Sequence, residues 1–318
     1  MRALITGAGG FVGDHLCSYL LAHTDWAILG TVYPNPVDAP HPHPRLHLSS
    51  LDLRNRTEVE RTLVEWQPDA IFHLAALSSV PASFKAPWET LENNIRAQLN
   101  VLEAARRLSS CPRVLIVGSN EEYGKPHPDE LPITEETPLR PQNPYAVSKV
   151  AQDFLGLQYH LTYGIEVVRL RPFNHTGPGQ SDQFVVPAFA SQIARIERGE
   201  QLPIVRVGNL NVARDFSDVR DIVRAYYLAV TQGEPGEVYN LSAGQPRSIK
   251  DILDALLSLS TVKIEVEIDP DRYRPSDTPV AYGSSAKFRA RTGWEPQIPF
   301  DQTIHDVLND WRHRPPNR

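Results

Sequence analysis

The first half of the chain alternates short apolar runs with stretches whose apolar residues recur every three or four positions. That rhythm predicts a parallel sheet wound with helices. Strands are expected at Arg2–Thr6, Trp26–Val32, Leu46–Leu53, Ala70–Leu74, Arg113–Gly118 and Glu166–Arg171. Between them Phe11–His23, Arg56–Trp66, Trp88–Leu108 and Tyr145–Tyr163 carry helical spacing. After Pro172 the loops lengthen, with helices expected at Val185–Arg198, Asp218–Thr231 and Ile249–Ser258 and strand-like pieces at Leu202–Val207, Val238–Leu241 and Lys263–Ile268. The pattern implies a dinucleotide-type domain over residues 1–172, to which residues 210–245 partly return. Residues 173–318 then form mainly a smaller lobe above the strand C-termini, where open α/β sheets bind ligands.

Composition narrows the class. The 318 residues are 41% hydrophobic and 22% charged, ordinary for a globular protein. A net charge of −6 without a basic run argues against nucleic acid as a partner. Cys17 and Cys111 form no motif, which fits a reducing, cytoplasmic compartment. The first strand begins at Arg2, so no signal peptide is expected, and no apolar run is long enough for a membrane span. The loop Pro34–Pro44 is rich in proline and histidine. His41, His43 and nearby His47 lack a regular backbone to converge them on an ion, so this segment reads as a solvated connector and no metal is expected.

Candidate chemistry begins at Leu4-Ile5-Thr6-Gly7-Ala8-Gly9-Gly10-Phe11-Val12-Gly13, an apolar strand that runs into a glycine-punctuated turn. Glycines at 7, 10 and 13 allow a tight turn, close approach to phosphates and packing of the next helix on the strand. The helix N-terminus adds free N–H groups and partial positive charge, the requirements of a dinucleotide pyrophosphate. The fold class is therefore α/β, a Rossmann-like doubly wound parallel sheet with a C-terminal substrate lobe. A second element is Tyr145-Ala146-Val147-Ser148-Lys149. Four-residue spacing at a helix start places Tyr145 and Lys149 on one face, where the lysine charge is expected to lower the phenol pKa. Ser119 ends the apolar strand Val114–Gly118, and the loop Pro138–Pro144 feeds the tyrosine helix.

Taken together these motifs resemble the extended short-chain dehydrogenase/reductase family over nearly the full chain. The resemblance implies that Gly7, Gly10, Phe11, Val12 and Gly13 form the cofactor turn and that Asp52 and Leu53 hold the adenine ring. Leu74, Ala75 and Ala76, within His73-Leu74-Ala75-Ala76, line the cofactor; Asn94 is a structural asparagine in a dimer-forming helix. Ser119, Tyr145 and Lys149 match the catalytic triad. The implied chemistry is hydride transfer between nicotinamide and a carbinol or keto carbon. Tyr145 serves as acid or base, Ser119 bonds the reacting oxygen, and Lys149 binds the nicotinamide ribose.

The later chain points to nucleotide sugars. Arg171-Pro172-Phe173-Asn174-His175-Thr176-Gly177-Pro178-Gly179-Gln180 and the following Val185 resemble the loop that receives diphosphate and sugar; Arg214 and Arg274 match two diphosphate-gripping arginines. Gly208-Asn209-Leu210 and Ser119-Asn120-Glu121-Glu122-Tyr123-Gly124 indicate the GDP-mannose branch. Glu121 occupies the position of a dehydratase glutamate, so a 4,6-dehydratase or a bifunctional enzyme stays open. Residues 176–187 contain no Arg or Lys, however, which points instead to a reductase acting on a GDP-linked 4-keto-6-deoxyhexose. A nucleotide-sugar 4-epimerase and a non-catalytic dinucleotide sensor are further alternatives. Thr31-Val32-Tyr33-Pro34 offers neither the acid typical of NAD sites nor an arginine, so NADP(H) follows from the reductase resemblance, with NAD(H) as alternative. The resemblance also implies a homodimer joined through the two long helices.

Overall fold

The structure is a computed structural model and describes residues 1–34, 43–272 and 278–315. Strands β1 (Arg2–Thr6), β2 (Ala27–Val32), β3 (Leu46–Ser50), β4 (Ala70–His73), β5 (Arg113–Val117) and β6 (Val167–Pro172) alternate with helices. These are α1 (Phe11–His23), α2 (Arg56–Trp66), α3 (Val80–Lys85), α4 (Pro87–Ala105) and α5 (Pro144–Tyr163). Then follow β7 (Asn174–Thr176), α6 (Val185–Glu197), β8 (Ile204–Val207), β9 (Ala213–Asp218), α7 (Val219–Gln232), β10 (Val238–Leu241), β11 (Pro246–Ser248), α8 (Ile249–Ser258), β12 (Glu265–Ile268), β13 (Val280–Ala281), α9 (Ala286–Thr292) and α10 (Phe300–His313).

Seven parallel strands form the main sheet in the order β10-β6-β5-β4-β1-β2-β3. Chain order reverses between β1 and β4, which opens a crevice at their C-terminal ends. Burial on both faces explains the near-continuous apolar reading of β1 and β4. One face packs Leu16 and Leu20 of α1 with Ile222 and Tyr226 of α7. The other packs Leu63 of α2, Val101 of α4 and Tyr159 of α5. A third core, around Ile193 of α6, Leu256 of α8 and Leu308 of α10, lies under the small sheet β11-β9-β13, to which β7 adds through β9. Among the described residues, no helix is long and apolar enough to cross a membrane.

Local chemistry sets the boundaries that matter for the site. Asn143 caps α5, its Oδ1 accepting from the Ala146 N–H at 2.8 Å, while Pro144 occupies the first turn and Gly164 closes the helix at φ +71°. Tyr145 and Lys149 therefore start from a rigidly anchored turn. Helices α3, α9 and α10 and strands β7, β9, β11 and β13 are not predicted by the hydrophobic pattern. β9 in particular carries Arg214, Asp215 and Asp218, residues whose placement depends on tertiary partners rather than alternation.

Candidate active site

The glycine turn has little room to spare. A Cβ at Gly13 would lie 2.2 Å from the Gly7 carbonyl oxygen and 2.7 Å from Ala8 Cα, and Gly7 adopts φ +73° with its Cβ position 3.0 Å from Ala75 Cα. Gly10 precedes α1 and gives it no side-chain cap, so the first N–H groups of that helix keep their donors for a ligand. Thr6, fully buried on β1, accepts from the Leu74 and Ala75 N–H groups at 3.1 and 3.2 Å and contacts His73 Nδ1 at 3.0 Å. This clamp holds the Leu74–Ala76 segment beside the turn. Burial, aided by Lys149, pushes His73 down to about 3, so it is neutral. Gly13→Ala is expected to cost about 1–3 kcal/mol of stability, because backbone rather than a mobile side chain must yield; urea unfolding measures the loss.

The residues present fit a nicotinamide dinucleotide: an uncapped helix start, a glycine cradle and a clamped opposite wall. At the adenine end the outcome is mixed. Asp52 lies at the expected place, but its carboxylate is engaged by Arg54 through Nε and Nη2 at 2.9 and 2.8 Å. Leu53 is buried, and its carbonyl accepts from Asn100 at 2.8 Å. Sequence reasoning missed Arg54. Its Nη2 lies 3.2 Å from the Tyr33 hydroxyl and its Cζ 5.5 Å from the Tyr33 ring, which puts a guanidinium at the C-terminal end of β2. No spacing rule could have revealed this, since β2 and β3 bring the two residues together only in the sheet.

Across the crevice, Ser119 follows β5 and caps a 3-10 turn, Asn120–Tyr123, its Oγ accepting from the Glu121 N–H at 3.2 Å. Glu122 is fully buried behind it; Oε1 accepts from the Ser119 N–H at 2.7 Å and Oε2 lies 3.1 Å from Arg171 Nε. Its carboxyl is held well above the usual range by burial and by Asp153. A Cβ on Gly118 would sit 2.2 Å from Glu122 Oε1. Lys149 Nζ donates to the Val117 carbonyl at 2.8 Å and lies 5.8 Å from the Tyr145 ring centroid.

One expectation needs correction. Lys149 does not dominate the Tyr145 phenol: burial raises its pKa well above the ordinary value, and the Ser119 side chain opposes that rise. Burial also lowers Lys149, to about 8. Tyr145 consequently holds its proton at neutral pH in this arrangement.

Glu121 is half-buried and accepts from Asn143 Nδ2 at 2.9 Å. Its charge acts on both Tyr145 and Arg214, which places it between the tyrosine and the lobe. Arg214 Nη1 donates to the Ala213 and Thr278 carbonyls at 2.8 and 3.0 Å. Asn174 stands on β7 with its Oδ1 buried and unpartnered among the described residues. Val185 opens α6, which has no side-chain cap. Phe11 stacks on His175 with ring centroids 6.3 Å apart, linking the glycine turn to the Asn174 loop. Arg274 and His41 lie outside the described residues. His43 Nδ1 accepts from the Arg45 N–H and His47 packs edge-on against Trp66.

A family model described as GDP-mannose 4,6 dehydratase matches residues 4–307. The chain belongs to the extended short-chain dehydrogenase/reductase family. Within it, the chain is 40% identical over 314 residues to the GDP-6-deoxy-D-mannose reductase of Pseudomonas aeruginosa, covering 98% of both proteins. The solved structure of RMD from Pseudomonas aeruginosa complexed with NADPH superposes with a TM-score of 0.86 at 38% identity, again covering 98% of each chain. A UDP-glucose 4-epimerase of Thermus thermophilus in complex with NAD gives a TM-score of 0.85 at 29% identity, over 98% of this chain and 99% of that one. The family's doubly wound sheet and its nicotinamide chemistry thus frame the site described above.

Proposed function

We propose that this protein is the reductase of a GDP-4-keto-6-deoxyhexose, forming GDP-rhamnose at the expense of NADPH. The observation that carries the reading is the 40% identity to a GDP-6-deoxy-D-mannose reductase across 98% of both chains. The absence of Arg and Lys from residues 176–187 supports it.

In this reading residues 1–172, with residues 210–245 returning, hold the dinucleotide, and residues 173–318 hold mainly the nucleotide sugar. Gly7, Gly10, Phe11, Val12 and Gly13 present the α1 N–H groups to the pyrophosphate, and Leu74, Ala75 and Ala76 form the opposite wall. The Arg54 guanidinium, which follows β3 and reaches Tyr33 just past β2, suits a 2′-phosphate, which favours NADPH over NADH. When bound, the reduced nicotinamide supplies hydride to C4 of the sugar. Ser119 Oγ holds the carbonyl oxygen, Tyr145 Oη delivers the proton to it, and Lys149 positions the cofactor ribose. The raised phenol pKa suits this direction, because a protonated tyrosine is the required donor. Glu121, in reach of Tyr145's field, is what favours the second reading, a 4,6-dehydratase or bifunctional enzyme.

Incubation with GDP-4-keto-6-deoxymannose and NADPH or NADH, followed by nicotinamide absorbance, separates the readings. Stoichiometric NADPH oxidation is expected; turnover of GDP-mannose without added cofactor would favour dehydration. Arg214→Ala is expected to weaken GDP binding by about 1.5–3 kcal/mol, the scale of a hydrogen bond to a charged group, measured by calorimetry.

A homodimer belongs to the same proposal. Val147, Phe154 and Leu161 recur every seven residues along α5 and are exposed, as are Trp88 and Leu99 on the adjoining α4. An apolar stripe on two packed helices suits a four-helix contact with a second copy.

A further inference from the structure

Strand β11 brings an additional cation to the face that carries Arg214. Arg247 is the direct partner of Arg214 on the antiparallel β9–β11 ladder. Opposed residues on such a ladder project to the same side, with Cβ atoms roughly 4.5–5.5 Å apart. Asn174 shares that face, because β7 pairs it with Phe216, two residues along β9 from Arg214. The Arg247 guanidinium lies over the Phe300 ring, Cζ 4.4 Å from its centroid. Nη2 reaches the Gln245 side-chain oxygen only at 3.5 Å, and Nε is buried without a partner. Among the described residues Arg247 makes no ion pair.

An anion on this face of the ladder would meet the Arg247 guanidinium, whose Nε is buried without a partner and which makes no ion pair among the described residues. Stacking on Phe300 also fixes the Arg247 side chain in advance, so little rotamer freedom remains to be lost on binding.

We propose that Arg247 is a further diphosphate-binding cation, so that a nucleoside diphosphate bridges Arg214 and Arg247 across the β9–β11 ladder. The inference rests on the nucleotide-sugar reading above but concerns a residue that reading does not use.

Calorimetry of the wild type, Arg247→Ala and Arg247→Lys with GDP, UDP, guanosine and NADPH tests it. Arg247→Ala is expected to weaken GDP by roughly 10- to 100-fold while guanosine stays within about twofold. Arg247→Lys should recover part of the loss, since it keeps the charge without the fork. Unchanged NADPH affinity shows that the fold is intact; if Arg247→Ala loses it, Arg247→Lys and Arg247→Gln are judged by the same GDP-to-guanosine comparison. GDP affinity within about twofold of wild type overturns the proposal. Equal losses for GDP and guanosine also overturn it, because the contact would then be to the base. A wild type that binds neither GDP nor UDP refutes the nucleotide-sugar reading itself, and the two failures are told apart by that control.

Discussion

Tyr145→Phe is expected to lower kcat for the keto sugar by about 10²–10⁴-fold, the range that positioned proton transfer contributes. The ring is only 8% exposed and stays in place, so the variant removes a hydroxyl and leaves the packing. Burial holds the phenol proton well above neutral pH, with the fields of Glu121 and Glu122 adding to the effect and Ser119 opposing it. The proton therefore remains available until negative charge develops on the sugar oxygen. With the hydroxyl in the proposed role of transition-state proton donor, kcat and kcat/KM should fall together while the dissociation constants for NADPH and GDP hold. Single-turnover absorbance with separate binding titrations makes the distinction. Wild-type hydride transfer by the variant would take Tyr145 out of the proton step.

The second large effect concerns stability. Asp153 on α5 is buried between two cations of β6: Oδ2 accepts from Arg171 Nε at 2.8 Å, and Oδ1 pairs with Arg169 Nη1. Asp153→Ala leaves the buried Arg171 with Glu122 alone and Arg169 with no carboxylate partner among the described residues, and such a break costs about 3–5 kcal/mol. Asp153→Asn retains volume and one acceptor and is expected to lose less. Urea unfolding at constant m-value measures both. A loss below about 1 kcal/mol for Asp153→Ala would show that apolar packing alone ties α5 to β6.

These two residues also illustrate what could be read from the chain. Tyr145 was accessible because a four-residue spacing on a helix places it beside Lys149 whatever the tertiary context. The α/β rhythm was equally accessible: β1, α1, α2 and β10 begin and end where the apolar pattern does, since each is buried by a face or stripe of regular period. Helix α10 carried a readable signal in Ile304, Val307, Leu308 and Trp311, which recur at helical spacing and are buried. Strand β9 carried none. Asp215 reads as a surface residue, yet it is fully buried and satisfied by Ser242 Oγ and by the N–H groups of Ala243 and Gly244. Arg54 over Tyr33, and Arg247 opposite Arg214, depend on strand register between segments 21 and 33 residues apart. Such pairings arise only when the sheet forms. The four-residue spacing of Tyr145 and Lys149 likewise carries no sign of the burial that raises the phenol pKa.

Gly118 and Glu122 limit how this protein can change over generations. The carboxylate that receives the Ser119 N–H occupies the space where a side chain at 118 would begin. A lineage can enlarge position 118 only after shortening or turning away the residue at 122. Shortening position 122 first leaves the Ser119 N–H without its acceptor and Arg171 with one carboxylate fewer. Either order passes through a less fit ancestor, so the two positions are expected to be replaced together or kept together.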